Sequence, residues 1–196
     1  MTGKAIETTG LTKFYGRSRG IEGVDLAVEV GEVFGFLGPN GAGKTTTIRL
    51  LLDLIRPTEG RATVCGFDAN RESLEVRRRT GYLPGELSLP PKLTARAYLS
   101  HLARLRDGAG EGEIPRLAER LGLPLDRPLG DLSKGNKEKV AVVAAFMHDP
   151  ELLILGSRGY GPLRSVLLGA VSSKLMRTAP CPVLVLPRGA GAGQLA

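Results

Sequence analysis

The sequence predicts an α/β fold with a mostly parallel central sheet, a small antiparallel β part at the N-terminus and a helical insert around residues 93–130. Three stretches carry that expectation. Val33-Phe34-Gly35-Phe36-Leu37 reads as a buried strand leading into a glycine-rich loop, and Thr46 to Leu52 continues at helical spacing. Leu152-Leu153-Ile154-Leu155 is a continuous apolar run, the mark of a strand covered on both faces. Behind it, Pro162 opens a helix with an apolar face of Leu163, Val166, Leu167, Ala170 and Val171, and Pro182 to Leu186 reads as a last strand, completing a βαβ unit.

The elements follow in order. Ala5 to Thr8 and Val24 to Val30 alternate as the two strands of an opening hairpin-like unit, with Leu11-Thr12-Lys13-Phe14-Tyr15-Gly16 between them. After the first helix, Pro57-Thr58-Glu59-Gly60 is a turn and Arg61 to Val64 a strand. Glu72 to Arg79 is a short basic helix, and a strand ends at Gly81-Tyr82-Leu83-Pro84. Leu93 to Leu105 and Ile114 to Leu121 are helical, the first with Leu93, Ala97, Leu99, Leu102 and Leu105 as its apolar positions. A further helix runs through Val140, Val143 and Phe146 to Met147, with Ser133 as N-cap. Gly156 to Gly161 is a second glycine-rich loop, and residues 189–196 form a flexible tail.

The loop Gly38-Pro39-Asn40-Gly41-Ala42-Gly43-Lys44-Thr45-Thr46 fits G-x-x-x-x-G-K-[ST] between strand and helix. Gly38, Gly41 and Gly43 let the backbone wrap a phosphate chain without Cβ clashes, so that successive N–H groups face the anion. Lys44 then bridges the β- and γ-phosphates and the Thr45 hydroxyl takes Mg²⁺. Upstream, Tyr15 either stacks on a nucleotide base or is a core tyrosine, and spacing alone leaves both open.

Composition sets bounds. Hydrophobic residues make up 42% and charged ones 24%, as in a soluble globular protein, and no apolar run reaches membrane-spanning length. The polar start Met1-Thr2-Gly3-Lys4 has no signal-peptide core behind it, which points to the cytoplasm. Cys65 and Cys181 form no metal or disulfide pattern and read as buried thiols. His101 and His148 read as surface or turn residues. Of the net charge of +7, the stretch from Gly156 onward holds +5, in Arg158, Arg164, Lys174, Arg177 and Arg188 with no acid. Lacking interleaved aromatics, this change of character near residue 155 gives no reason to expect nucleic acid as a partner.

From about Lys4 to Leu155 the chain resembles the ATP-binding subunits of ABC transporters, the exporter type above all. Leu11 to Gly16 looks like the family's opening segment, whose aromatic, here Tyr15, stacks on adenine. Gly38 to Thr46 matches its Walker A. Leu132-Ser133-Lys134-Gly135-Asn136 looks like its signature loop, and His148-Asp149-Pro150-Glu151 with Leu152 to Leu155 looks like the approach to Walker B. The resemblance implies a P-loop NTPase-like fold, ATP and Mg²⁺ as ligands, a second ATPase subunit, and a separate membrane permease moved by ATP binding and hydrolysis. It further implies a position on the inner face of the cell membrane, and implies that Ser133, Lys134, Gly135 and Asn136 meet a partner's ATP. The alternative role of Ser133 is simply a helix cap.

The sequence departs from that pattern at three points. Gly85-Glu86 stands where a Gln normally follows Tyr82-Leu83-Pro84, and Gly156-Ser157 stands where the family places Asp-Glu after the apolar strand. The switch histidine is missing. From Leu152 to Arg188 the chain instead resembles the C-terminal part of universal stress proteins: Gly156, Gly159 and Gly169 follow their nucleotide loop, and Ala179-Pro180-Cys181-Pro182-Val183-Leu184-Val185 matches their closing strand. The organisation expected is a truncated ATP-binding domain over 1–155 and a stress-protein-like βαβ fragment over 156–188. The three glycines act either as an anion loop or as a plain strand-to-helix turn. Without Walker B, a hydrolysis-incompetent nucleotide-binding chimera is the alternative to a working ATPase subunit.

Overall fold

In the computed structural model the residues described are 3–36, 41–157 and 183–187, with Ser157 and the last five described by backbone alone. Leu37, Gly38, Pro39, Asn40, Gly159, Gly169, Cys181, the helix expected over 162–177 and the tail lie outside them.

Two four-stranded sheets organise the chain. The first is antiparallel and is built on a hairpin, β1 (Lys4–Tyr15) and β2 (Ser18–Glu29), with β4 (Glu59–Val64) and β5 (Phe67–Asp68) beyond it in the order β2-β1-β4-β5. The hairpin is longer than the alternation suggested, because β1 runs through Gly10 to Tyr15. Gly10 is absorbed as a bulge at φ 57°, where the register shifts between Thr8 and Leu11. Its amide donates to the Asp25 carboxylate at 2.6 Å, while the Thr12 hydroxyl donates to the Gly10 carbonyl at 3.0 Å and accepts from the Gly23 amide at 2.9 Å. Side chains thus replace the ladder bonds that the bulge removes.

The second sheet is parallel, in the order β3 (Val33–Gly35), β8 (Val183–Pro187), β7 (Leu152–Ser157), β6 (Thr80–Leu83). The last strand of the chain therefore lies between two earlier ones, pairing Val183 with both Leu153 and Val33. Two expectations need correction. Val33 is half exposed, and Phe34 and Phe36 are half-buried, because β3 stands at the end of the described ladder with a strand on one side only. Gly156 and Ser157 do not open a loop; they continue β7, paired with Leu186 and Pro187.

Helix α1 (Lys44–Leu51) joins the two sheets. Its Ile48, Leu50 and Leu51 share one core with Ile6, Leu11 and Val64 of the antiparallel sheet and with Leu152 and Ile154 of β7. Helix α2 (Ser73–Arg79) packs below β5 and ends at β6. The insert has its own core, formed where α3 (Ala95–Arg104), α4 (Glu113–Leu121) and α5 (Lys134–Phe146) meet through Leu99, Ile114, Ala118, Val140, Val143 and Met147. Leu93 and Leu105, expected on the apolar face, fall just outside α3 and are exposed. Helix α5 also touches β6, and the contact is close enough that a Cβ at Gly81 would lie 2.3 Å from the Ala145 carbonyl oxygen. The insert and the parallel sheet are thereby locked together at the start of β7. Among the described residues no helix is long and apolar enough to cross a membrane.

Candidate functional site

The glycine loop turns into α1 through Gly43, which is the N-cap at φ 83° and ψ 3° and offers no side chain to the first-turn amides. Thr47 does not cap the first turn, since its hydroxyl donates to the Gly43 carbonyl at 3.2 Å, and a helix start without a side-chain cap suits an anion. Gly41 shares the left-handed conformation at φ 83°. Gly43 is held on its other side by the hairpin: a Cβ there would meet Ile21 Cγ2 at 2.1 Å and the Gly20 carbonyl oxygen at 2.9 Å. Conformation and space each demand glycine.

Gly20 in turn carries the aromatic. A Cβ at Gly20 would lie 2.9 Å from Cε2 of Tyr15, so the tyrosine ring covers this residue. The ring is 46% exposed, which removes the core alternative, and the Lys13 ammonium stands 5.5 Å from its centroid. Tyr15, Arg19 and Gly20 form one wall of a cavity of about 330 Å³, and Gly41, Gly43, Lys44, Thr45 and Thr46 form the other. The Lys44 side chain is only 7% exposed, and burial holds its pKa below the ordinary lysine value. A buried ammonium beside uncapped helix amides is a site whose desolvation cost a polyanion offsets.

The expected signature residues stand elsewhere. Ser133 caps α5, accepting from the Asn136 amide at 3.3 Å, and Ser133, Lys134 and Gly135 are exposed, with open space around Gly135. They do not line the cavity. At the end of β7 the arrangement is closed rather than open: a Cβ on Gly156 would lie 2.7 Å from the Gly85 amide nitrogen. Backbone of the 84–85 segment fills the space a side chain would need. Among the described residues there is no group of three or more His, Cys, Asp or Glu that could hold a metal.

Of the side chains His148, His101 and Cys65, the first and last qualify what the sequence suggested. His148 is a turn residue but not a surface one: its Nε2 lies 3.2 Å from the Thr80 carbonyl oxygen, and its Nδ1 is buried without a hydrogen bond. Burial first, then the Arg106 charge, lowers its pKa to about 4. His101 is exposed on α3, as read. Cys65 is half-buried at the turn after β4 rather than enclosed, since at φ 50° the chain reverses there at the edge of the core. Arg19 and Gly20 match no motif; the sequence signal for them is a two-residue turn after Tyr15 that brings residues 18–20 back beside it.

Residues 21–156 match the family model described as ABC transporter. The chain belongs to the ABC transporter family. Among its relatives are the bacitracin transport ATP-binding protein BcrA of Bacillus licheniformis, 38% identical over 152 residues, 76% of this chain and 50% of that protein. The daunorubicin/doxorubicin resistance ATP-binding protein DrrA of Streptomyces peucetius is 40% identical over 157 residues, 78% of this chain and 48% of that one. The chain thus spans about half the length of these ABC relatives. A solved structure of an ATP binding subunit of an ABC transporter superposes with a TM-score of 0.76 at 27% identity, covering 94% of this chain and 79% of that one. A second model, the universal stress protein family, matches residues 129–187. It begins within the segment leading to α5, earlier than the Leu152 start read from motifs, so the two family patterns overlap over helix α5 and strand β7.

Proposed function

We propose that the chain is an ATP-binding subunit of an exporter-type ABC transporter that holds ATP at this cavity and serves a separate membrane permease from the cytoplasmic face. The observation that carries the reading is the meeting of Tyr15, the Gly41–Thr46 turn and the buried Lys44 in one cavity. The adenine stacks on Tyr15. The phosphates take the α1 amides and Lys44, with Gly38, Pro39, Asn40 and Ala42 completing the loop. The Thr45 hydroxyl is placed to ligate Mg²⁺, an ion that screens phosphate charge and orients the γ-phosphate when bound.

Ser133, Lys134 and Gly135 are exposed and Asn136 half-buried at the start of α5, away from the cavity, which suits contact with ATP held by a second ATPase subunit. Residues 156–188 act as a stress-protein-like closing unit rather than as a second nucleotide site, since Gly156 continues β7 instead of opening an anion loop.

A specific observation favours the second reading, binding without hydrolysis. The backbone at Gly85 occupies the space beside Gly156, so a carboxylate at position 156 would not fit without a shift of that segment. Asp149 cannot replace it, because it precedes the opposite end of β7. Titration calorimetry with ATP tests the main reading. Charge-assisted contacts are worth about 1.5–3 kcal/mol each, so Lys44→Ala should weaken binding at least about tenfold. Equal affinity in that variant would remove the assignment.

A further inference from the structure

We propose that Arg19 is a second cationic contact for the nucleotide phosphates, offered from the wall that carries Tyr15 and restrained by Glu22. The inference rests on the ATP-binding reading and adds a residue to it that no motif names. The cavity lining contains two cations, Arg19 and Lys44, and no acid. They belong to different elements: Lys44 opens α1, and Arg19 stands on β2 opposite Phe14, beside the glycine that seats the Tyr15 ring. Between Arg19 and Lys44 the lining includes Gly41, which has open space where a side chain would stand. A polyphosphate lying along the loop is therefore approached by positive charge from both sides.

Arg19 is able to turn toward it. Its side chain is 72% exposed and pairs with Glu22, 58% exposed, at 3.5 Å. Exposed pairs of this kind contribute little to stability, so exchanging one carboxylate for a multiply charged phosphate chain is favourable. The planar guanidinium matches phosphate oxygens in a bidentate fork, which an ammonium does not. Glu22 then acts as a competitor that occupies Arg19 until the nucleotide arrives.

Calorimetry with ADP and with tripolyphosphate, without added metal, tests this on four proteins: the parent chain, Arg19→Ala, Glu22→Gln and the double variant. Arg19→Ala should bind both ligands about fivefold more weakly, with a shallower salt dependence, while its exposed position leaves folding unchanged. Glu22→Gln should bind about twofold more tightly, and only while Arg19 is present, so the double variant should match Arg19→Ala. Arg19→Ala binding within twofold of the parent overturns the proposal. So does a loss confined to ADP, which would place Arg19 on the sugar or base, or a Glu22→Gln gain that persists without Arg19. If the parent chain binds neither ligand, or binds them independently of Lys44, the ATP-binding reading itself falls.

Discussion

Gly43 and Gly156 both stand beyond or near the C-terminal end of a parallel strand, and both press against a neighbour's backbone, yet Gly43 lines the cavity beside Lys44 and Gly156 does not. At Gly43 the close neighbour is the hairpin, and the contact holds a left-handed turn that aims helix amides outward. At Gly156 the close neighbour is the segment after β6, and the contact fills the place where a family member presents its acids. The same device, a glycine under a backbone, keeps one corner open to a ligand and closes the other. On the proposed reading binding and hydrolysis are separable, with a cavity at the first corner and a filled space at the second.

Substitution at the two glycines breaks the comparison most directly. Gly43→Ala forces a side chain into φ 83° and into Ile21, so left-handed strain of about 1–2 kcal/mol adds to overpacking of about 1–3 kcal/mol. A loss of about 3 kcal/mol in urea unfolding, together with loss of ATP binding, is expected. Gly156→Asp meets only the second penalty, about 2 kcal/mol, because no positive φ is involved. The returned carboxylate should not restore turnover, since its Cβ displaces the Gly85 amide. Mg²⁺-dependent hydrolysis rising well above the parent level would show that the 84–86 segment yields and that the closed corner is not closed.

Much of this architecture was legible in the sequence, and what was not has common physical causes. The strand, glycine loop and helix around Lys44 follow from periodicity and motif, and so do β4, β6, β7 and the four later helices. Strand β1 was read too short because Gly10 looks like a terminator, and only its bonds to Asp25 and Thr12 reveal a bulge. Val33 was read as buried because its apolar run cannot report that β3 has a strand on one side only. Tyr15 was ambiguous until Gly20 could be seen beneath its ring. Arg19 carries no motif, and Gly85 was read only as standing where a glutamine is expected; its approach to Gly156 depends on β6 and β7, which lie far apart in the chain.

His148 sharpens the comparison at the opposite end of β7. Its folded pKa of about 4 lies below the ordinary value of 6.5, so the unfolded chain binds the proton first as pH falls. Stability present above pH 6.5 is therefore lost on going down to about 4, by about 2 kcal/mol once partial exposure is discounted. Denaturation of the parent and of His148→Gln at pH 7 and pH 5 isolates this group from the carboxylates. The variant should show the smaller drop, and an equal drop would mean that the buried ring is not responsible.

A smaller effect is expected at Ser133, where the cap and the proposed contact with a second subunit coincide. Ser133→Ala removes the bond to the Asn136 amide and should cost about 1 kcal/mol, checked by thermal unfolding. A cost near zero would leave the exposed hydroxyl with a role toward a partner alone.

The central claim is that this chain binds ATP without turning it over, and one paired measurement tests it: ATP affinity and steady-state phosphate release with Mg²⁺, for the parent chain and for Lys44→Ala. The account predicts saturable binding in the parent, weakened at least about tenfold by the substitution, with phosphate release at background in both. Turnover in the parent that Lys44→Ala abolishes would contradict it, because hydrolysis would then proceed at a site whose acidic corner is filled by the Gly85 backbone.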